Sequence, residues 1–237
     1  MKKMSSLLQA LSLISVSLVV FIPTFIQADQ TEYPEQISER LQQKYDSLDS
    51  LSFNFKQRSR GQLSGRPKTG NGTAYFYKSG GTSLMRWNYN EPDRQVLVSD
   101  GKTFSMYFEE LQQMIVTSAE QLNNDLTYSF FSGREKIGEK FHILPPEPEY
   151  APEKQDETIP KVIKLVPKEE NSQVQEIHLW ISADSLIRRI EIKDHFGTIT
   201  LINISEIKEN DLADASEQTI TTLFSFTPPE DTEIIQQ

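Results

Sequence analysis

The fold is decided by residues 83–108, which read SLMRWNYNEPDRQVLVSDGKTFSMYF. Three segments with alternating apolar residues are separated here by two short turn sequences, EPD at 91–93 and DGK at 100–102. Alternation with a period of two is typical of β-strands that bury one face. Connections this short join antiparallel neighbours, because a parallel pair needs a crossover of a dozen residues or more. The stretch therefore predicts an antiparallel meander.

The alternating pattern continues on both sides of this meander. Further strands are predicted at residues 51–56, 73–78, 112–117, 141–144, 162–167, 173–182, 187–193, 197–207 and 218–227. Residues 58–72, rich in Gly, Ser and basic side chains, predict a loop. Apolar residues at helical spacing from Pro34 to Leu51 predict an amphipathic helix, and a second apolar stripe follows Ser118 and ends at Gly133. The sequence therefore predicts a mainly β protein with two or three short helices.

The first residues have the composition of a targeting segment. Lys2 and Lys3 precede a mostly apolar stretch at 7–22, and Gln27 and Ala28 are followed by a polar sequence. This order predicts a secretory signal peptide over residues 1–28, cleaved after Ala28. An uncleaved membrane anchor is the alternative, for which the apolar stretch is short.

The remaining residues, 29–237, are predicted to form a single domain. The chain contains no Cys, so its core must stabilise it without disulfides, and a domain of this length buries about 70% of its unfolded surface. Residues 145–160 interrupt the strand pattern with prolines and acidic residues. We expect this segment to be a mobile hairpin loop within the domain.

Composition excludes several classes of function. With 24 Lys and Arg against 34 Asp and Glu, the net charge is −10, which argues against nucleic-acid binding. The absence of Cys excludes thiol catalysis and Cys-ligated zinc. His142, His178 and His195 lie far apart without metal-binding spacing, and neither a phosphate-binding loop nor a nucleophile motif occurs. We therefore expect neither an enzyme nor a cofactor.

The predicted sheet has more apolar surface than its helices can cover. Met85, Trp87 and Tyr89 lie on one side of a strand, and Phe104 and Met106 lie on one side of a later strand. Either the sheet rolls up on itself, or the surplus face lines a ligand cavity, for which aromatic and Met side chains are well suited. The alternative, that these residues form an ordinary core, remains open at this point.

Several motifs together resemble the outer-membrane lipoprotein carrier family. Residues 91–93 (EPD) are followed by 96–103 (VLVSDGKT), and the similarity extends through Tyr107 to Gln112 or Gln113. Further matches are LMRWNY at 84–89, the helix that leads into FNFKQ at 53–57, and FSFTPP at 224–229. The resemblance covers most of the chain after residue 28 and is densest from Gly72 to Val116.

The resemblance implies a half-open antiparallel β-barrel of about eleven strands, with short helices that form a lid over an apolar cavity for acyl chains. It also implies a periplasmic protein that collects acylated lipoproteins from an ATP-driven inner-membrane exporter and delivers them to an acceptor lipoprotein of the outer membrane. We expect a monomer. The predicted lipid-binding cavity is lined by Phe53, Phe55, Met85, Trp87, Tyr89, Phe104 and Met106. The predicted lid carries Leu122, Leu126, Phe130 and Phe131.

The chain departs from the family pattern in two respects, the first of which is the longer insertion at residues 145–160. Members carry an Arg-Pro pair whose arginine helps to hold the lid, whereas this chain has Ser-Gly-Gly at residues 79–81. How its lid is held therefore remains an open question. The alternative functions are a carrier or sensor of another amphiphile, such as a glycolipid or fatty acid, a secreted hydrolase and a structural envelope protein.

Overall fold

A computed structural model describes residues 32–61, 66–120, 136–150, 159–169 and 174–237. Three helices lie within these residues: α1 (Pro34–Asp46), α2 (Ile137–Lys140) and α3 (Glu217–Leu223). The described strands are β1 (Ser50–Arg60), β2 (Lys68–Ser79), β3 (Thr82–Glu91), β4 (Gln95–Ser99), β5 (Thr103–Phe108), β6 (Gln113–Ser118), β7 (Phe141–Leu144), β8 (Lys161–Pro167), β9 (Glu176–Ile181), β10 (Ile187–Lys193), β11 (Ile199–Glu209) and β12 (Glu233–Gln236).

All twelve strands belong to one open sheet. Their order is β12-β6-β5-β4-β3-β2-β1-β11-β10-β9-β8-β7, and neighbouring strands are antiparallel except for β12, which runs parallel to β6. The prediction of a mainly β protein built on an antiparallel meander is confirmed. Within the described residues no helix has the length and apolar character needed to span a membrane.

Two sequence predictions about local structure are wrong. Residues 218–227, predicted as a strand, form α3 and the extended segment after it. Ser216 caps this helix, because its Oγ accepts a hydrogen bond of 3.2 Å from the Thr219 N–H. The predicted loop at 58–72 is also shorter than expected, since β1 and β2 stay paired as far as Ser59 and Lys68. Backbone pairing extends a hairpin through polar residues that show no apolar pattern.

The inner face of the sheet, defined as the face that α1 covers in part, is apolar along its length. We call the inner face of β8–β11 the aliphatic half; its buried side chains are Ile163, Leu165, Ile177, Leu179, Ile181, Ile190, Ile202 and Ile204. We call the inner face of β1–β6 the aromatic half, because Phe, Trp and Tyr side chains dominate it. Both halves belong to one apolar cluster.

Helix α1 packs against β7 and β8, next to the aliphatic half. Ile37, Leu41 and Tyr45 lie on its buried side. The Tyr45 hydroxyl accepts a hydrogen bond of 3.1 Å from the Ile187 N–H, and burial raises the pKa of this hydroxyl. Lys78 donates to the Tyr45 carbonyl at the C-terminus of the helix, at 2.8 Å. These polar contacts fix the helix on the sheet.

The C-terminal strap, residues 210–232, crosses the outer face of the sheet between β11 and β12. Its Leu223 and Ser225 carbonyls accept hydrogen bonds of 2.9 and 2.8 Å from Arg86. The Phe226 ring lies 5.0 Å from that of Tyr107. The sequence indicates Arg86 only as an isolated surface or rim cation, whereas the structure places it half-buried beneath the strap.

Candidate functional site

The seven residues predicted to line a cavity lie together on the inner face. They belong to one apolar cluster, whose predicted members are Phe53, Phe55, Met85, Trp87, Tyr89, Phe104 and Met106. Their grouping follows from sheet register, because residues paired across neighbouring strands point to the same face. The structure therefore brings the seven side chains together; what they bind is a separate question.

One row of paired residues runs across the aromatic half. Phe53 pairs with Ala74, Ala74 with Trp87, Trp87 with Leu97, and Leu97 with Met106. Small and large side chains alternate at the start of this row, so the Phe53 ring reaches the Trp87 ring across Ala74, with centroids 5.7 Å apart. The pairing of strands β1 to β5 thus forms a continuous apolar surface, which we call the floor.

Trp87 is the centre of the aromatic packing. Its ring centroid lies 4.7 Å from that of Phe55, 6.2 Å from Phe76 and 6.4 Å from Tyr89. Phe76 is absent from the predicted lining set. It could have been found from the alternation of Ala74 and Phe76 on β2, which places both on the same side as Trp87.

Exposure changes along the aromatic half. Phe55 and Trp87 are 1% and 5% exposed, whereas Leu97, Met106 and Ile115 are half-buried. These three residues pair across β4, β5 and β6 in a single row. The floor is therefore fully buried near β1 and only half-buried towards β6.

A buried hydroxyl interrupts this apolar surface. Thr117 pairs with Phe104 on the inner face, and its Oγ1 is buried without a hydrogen-bond partner among the described residues. Ser99, the partner of Phe104 on the other side, is fully buried and accepts a 3.1 Å hydrogen bond from the Gly101 N–H. The Thr117 oxygen is thus an unused polar group within an apolar surface.

The predicted lid residues Leu122, Leu126, Phe130 and Phe131 lie outside the described residues. The region of the missing Arg-Pro pair is described, and it forms the turn between β2 and β3. Gly80 and Gly81 have φ angles of 55° and 82° there. Consecutive positive φ angles are typical of tight hairpin turns and favour Gly, whereas Pro cannot adopt them. The local backbone therefore explains why this chain has glycines instead of the family pair.

A cavity of about 780 Å³ lies between α1, α2 and β7. Among the described residues its lining includes none of the seven predicted positions, and it contains Glu35, Glu39, Asp46 and Glu139. Its volume is in the range of ligand pockets. These four carboxylates are exposed at its rim, together with Lys136 and Lys168, and the apolar part of its lining consists of Ile137, Phe141, Ile143 and Leu144.

A polar cluster lies on the outer face behind the aliphatic half. The Glu147 carboxylate accepts a hydrogen bond from Lys164 and lies 2.7 Å from Nε2 of buried His178. The Tyr150 ring stacks on His178 at 4.3 Å, and its hydroxyl donates to Glu191 at 2.8 Å. The hydrogen bond from Lys164 lowers the pKa of Glu147 to about 2. Residues 145–150 of the predicted mobile loop are therefore docked on the sheet; the mobility of the rest stays a prediction.

The described residues contain no group of three His, Asp or Glu side chains that could hold a metal ion. The three histidines are indeed separated: His142 lies on β7, His178 on β9 and His195 in the turn between β10 and β11.

These features define a mostly β protein with one open sheet and an apolar inner face that is partly accessible. A family model described as outer membrane lipoprotein carrier protein LolA matches residues 46–221. The chain therefore belongs to this family of carrier proteins, and the resemblance seen in its motifs is confirmed.

Two sequence relatives carry the same description as this family model. The chain is 29% identical over 228 residues to an outer-membrane lipoprotein carrier protein of Azotobacter vinelandii, with 94% of this chain and 96% of that protein covered. It is 28% identical over 153 residues to a protein of the same description from Nitrosomonas europaea, with 64% and 67% covered. The crystal structure of a LolA superfamily protein from Nitrosomonas europaea aligns with a TM-score of 0.40 at 14% identity, covering 82% of this chain and 98% of that one.

Proposed function

We propose that this protein carries acylated lipoproteins across the periplasm, from the inner to the outer membrane, by holding their acyl chains on the aromatic half of its inner face. The observation that supports the proposal is the half-buried row Leu97, Met106 and Ile115, which continues the sealed aromatic floor as accessible apolar surface. Soluble proteins rarely leave contiguous apolar surface open unless it binds something.

The energetics of the cargo explain why a carrier is needed. Each methylene removed from water contributes about 0.8 kcal/mol, so a chain of ~16 carbons is stabilised by on the order of 12 kcal/mol in an apolar site. Free diffusion of such a chain through water is therefore negligible. A carrier must offer comparable stabilisation and still release its cargo, which favours an adaptable site over a rigid one.

The carrier cycle needs partners at both ends. A bilayer stabilises an acyl chain about as well as a protein cavity does, so extraction requires an ATP-driven inner-membrane exporter. The sequence contains no phosphate-binding loop of its own. Delivery to an outer-membrane acceptor lipoprotein proceeds downhill if the acceptor holds the chains more tightly. No catalytic residue is required at any of these steps.

The remaining parts of the chain have the following roles in this proposal. Residues 1–28 direct export and are removed, and residues 29–237 function as a monomeric carrier domain. Leu122, Leu126, Phe130 and Phe131 cover the empty apolar surface and move aside when cargo enters. The seven predicted lining residues, with Phe76, contact the acyl chains.

Mass spectrometry of protein purified from the periplasm tests the proposal directly. Bound triacylated protein or peptide is the expected result. Free fatty acid or glycolipid would instead identify a carrier or sensor of another amphiphile. The proposal would be contradicted if the purified protein never contained bound lipid and its melting temperature did not rise when triacylated peptide was added.

A matched pair of variants locates the site. Ile115 and Val116 are adjacent and half-buried, but only Ile115 faces inward. Ile115→Glu is expected to lose bound cargo, whereas Val116→Glu, with a similar cost to folding, is expected to retain it. If both variants lost cargo equally, the binding site would not be on the inner face.

A further inference from the structure

The most exposed large apolar side chain in the described part of the protein is at the tip of the β10–β11 hairpin. Phe196 is 81% exposed, and Ile199, at the start of β11, is 40% exposed. The tip is held in one conformation by Asp194, whose carboxylate accepts hydrogen bonds from the Phe196 and Thr198 N–H groups at 2.9 and 2.7 Å. An aromatic ring is therefore presented to solvent on a well-ordered turn.

Basic side chains lie on one side of this tip. Strand β1 is hydrogen-bonded to both β2 and β11, so the β1–β2 and β10–β11 hairpins leave the sheet side by side, with Arg60 opposite Ile199 and Ser59 opposite Lys68. Five exposed basic residues lie on these neighbouring segments: Lys56, Arg58, Arg60, Arg66 and Lys68. Within the described residues none of the five forms an ion pair. This concentration of positive charge stands out in a chain with a net charge of −10.

The neighbouring hairpin tips at the same end of the sheet have the opposite charge. The β5–β6 tip contains Glu109, Glu110 and Leu111, and Leu111 is 61% exposed. Phe196 and Leu111 thus lie at the same end of the sheet, Phe196 beside basic and Leu111 beside acidic side chains. This arrangement allows the effect of charge to be separated from that of apolar exposure.

We propose that Phe196, Ile199 and the neighbouring basic residues form a membrane-docking surface that binds anionic lipid headgroups, with the Phe196 ring inserted at the interface. Aromatic residues are favoured at membrane interfaces, and clustered Lys and Arg are attracted to anionic lipid surfaces. A single ring on a narrow turn is too small for the core of a stable protein–protein interface, but it suits shallow insertion between headgroups. The acidic tips make the attachment directional, since they keep the β3–β6 side away from the bilayer.

Vesicle binding of the mature protein, purified from the periplasm, tests this surface. We use vesicles of phosphatidylcholine alone and of phosphatidylcholine mixed with phosphatidylglycerol. Binding is expected only to the anionic vesicles, and added salt should release it. Phe196→Ser is expected to weaken binding about tenfold, and Leu111→Ser, the matched control, should leave it unchanged. Arg58→Gln with Arg60→Gln should weaken binding, whereas the same charge change at exposed Lys102 and Lys208 should not.

A local probe separates this surface from the apolar N-terminal segment. Because the chain has no Cys, a single Cys at position 196 or 111 can be labelled with an environment-sensitive dye. A blue shift at 196 but not at 111 supports the proposal. Equal shifts at both positions, binding to neutral vesicles that matches binding to anionic ones, or binding to acidic proteins without vesicle binding would each overturn it. Phe196→Ser should load cargo normally, so failure of this surface and failure of the carrier function are distinguishable.

Discussion

The two halves of the inner face are both apolar, but they are built from different side chains and packed differently. The aliphatic half consists mainly of isoleucine, and helix α1 packs beside it with Leu41 fully buried. The aromatic half consists of rings in mainly edge-to-face contact, followed by half-buried Leu97 and Met106. β-branched side chains have few rotamers and form rigid cores, whereas Met and aromatic side chains adapt to a ligand. This difference supports the proposal that one half stabilises the fold and the other binds cargo.

The largest effect on stability is expected in the aliphatic half. Ile163 is fully buried there, and Ile163→Ala should lower the free energy of unfolding by about 3 kcal/mol, because the cavity left behind cannot be filled. Urea unfolding measures this change. Ile159, 37% exposed on the adjoining segment, serves as the control, and Ile159→Ala should cost less than about 0.5 kcal/mol. If folded Ile163→Ala protein lost its cargo, the two halves would not be functionally separate.

The next largest effect is expected on cargo retention, when a residue of the aromatic half is changed. Met106→Glu places a carboxylate on its half-buried row and should weaken cargo retention by at least about thirtyfold, or ~2 kcal/mol. Met106→Leu conserves volume and should retain cargo. Lipid content after purification provides the measurement, with thermal melting to confirm folding. If Met106→Glu protein still bound cargo normally, this row would not be part of the binding site.

A smaller effect on stability is expected from changes on the outer face of the strands that form the aromatic half. Arg86→Met removes the hydrogen bonds to the Leu223 and Ser225 carbonyls and should lower the free energy of unfolding by about 1.5 kcal/mol. Arg94→Met, which removes only an exposed ion pair of 3.6 Å with Glu109, should change it by less than about 0.5 kcal/mol. Both variants should load cargo normally. Loss of cargo in Arg86→Met alone would show that the strap shapes the inner face.

The smallest effect is a pH dependence of stability that arises from Glu147, on the outer face behind the aliphatic half. The Glu147 pKa is lowered from 4.5 to about 2 by the hydrogen bond from Lys164, so the ionised form stabilises the folded state. This contribution is present above pH 4.5 and is lost as the pH falls towards 2. Because the Glu147 side chain is partly exposed, it should amount to no more than about 1 kcal/mol. The difference in unfolding free energy between the parent and Glu147→Gln should shrink across this window; a constant difference would contradict the assignment.

Sequence patterns predicted most of the sheet because its period-two alternation is strong. The parity of Met85, Trp87 and Tyr89 was enough to place all three on one face, and the turn sequences at 91–93 and 100–102 fixed the meander. The helix at 217–223 was missed because Ile220, Thr222 and Phe224 also alternate, so the capping effect of Ser216 decided between the two structures. β12 has only four residues and depends on a distant parallel partner, which local patterns do not reveal.

The candidate site was predictable only in part. The seven predicted residues do cluster, but their unequal exposure depends on which strands pair and on what covers them. The role of Arg86 depends on carbonyl groups well over a hundred residues away. Likewise, the docking of Glu147 and Tyr150 requires the side chains of β8–β10 to be already in place. Such contacts are properties of the assembled sheet.

The C-terminal strap has a mechanical consequence. It leaves the sheet at β11 and rejoins it at β12, with six strands between these two points in the sheet. Because the strap joins β11 to β12, its length limits how far apart these two strands can lie. Inserting or deleting residues in the strap would therefore change the distance allowed between the two ends of the aromatic half, without altering any of its side chains.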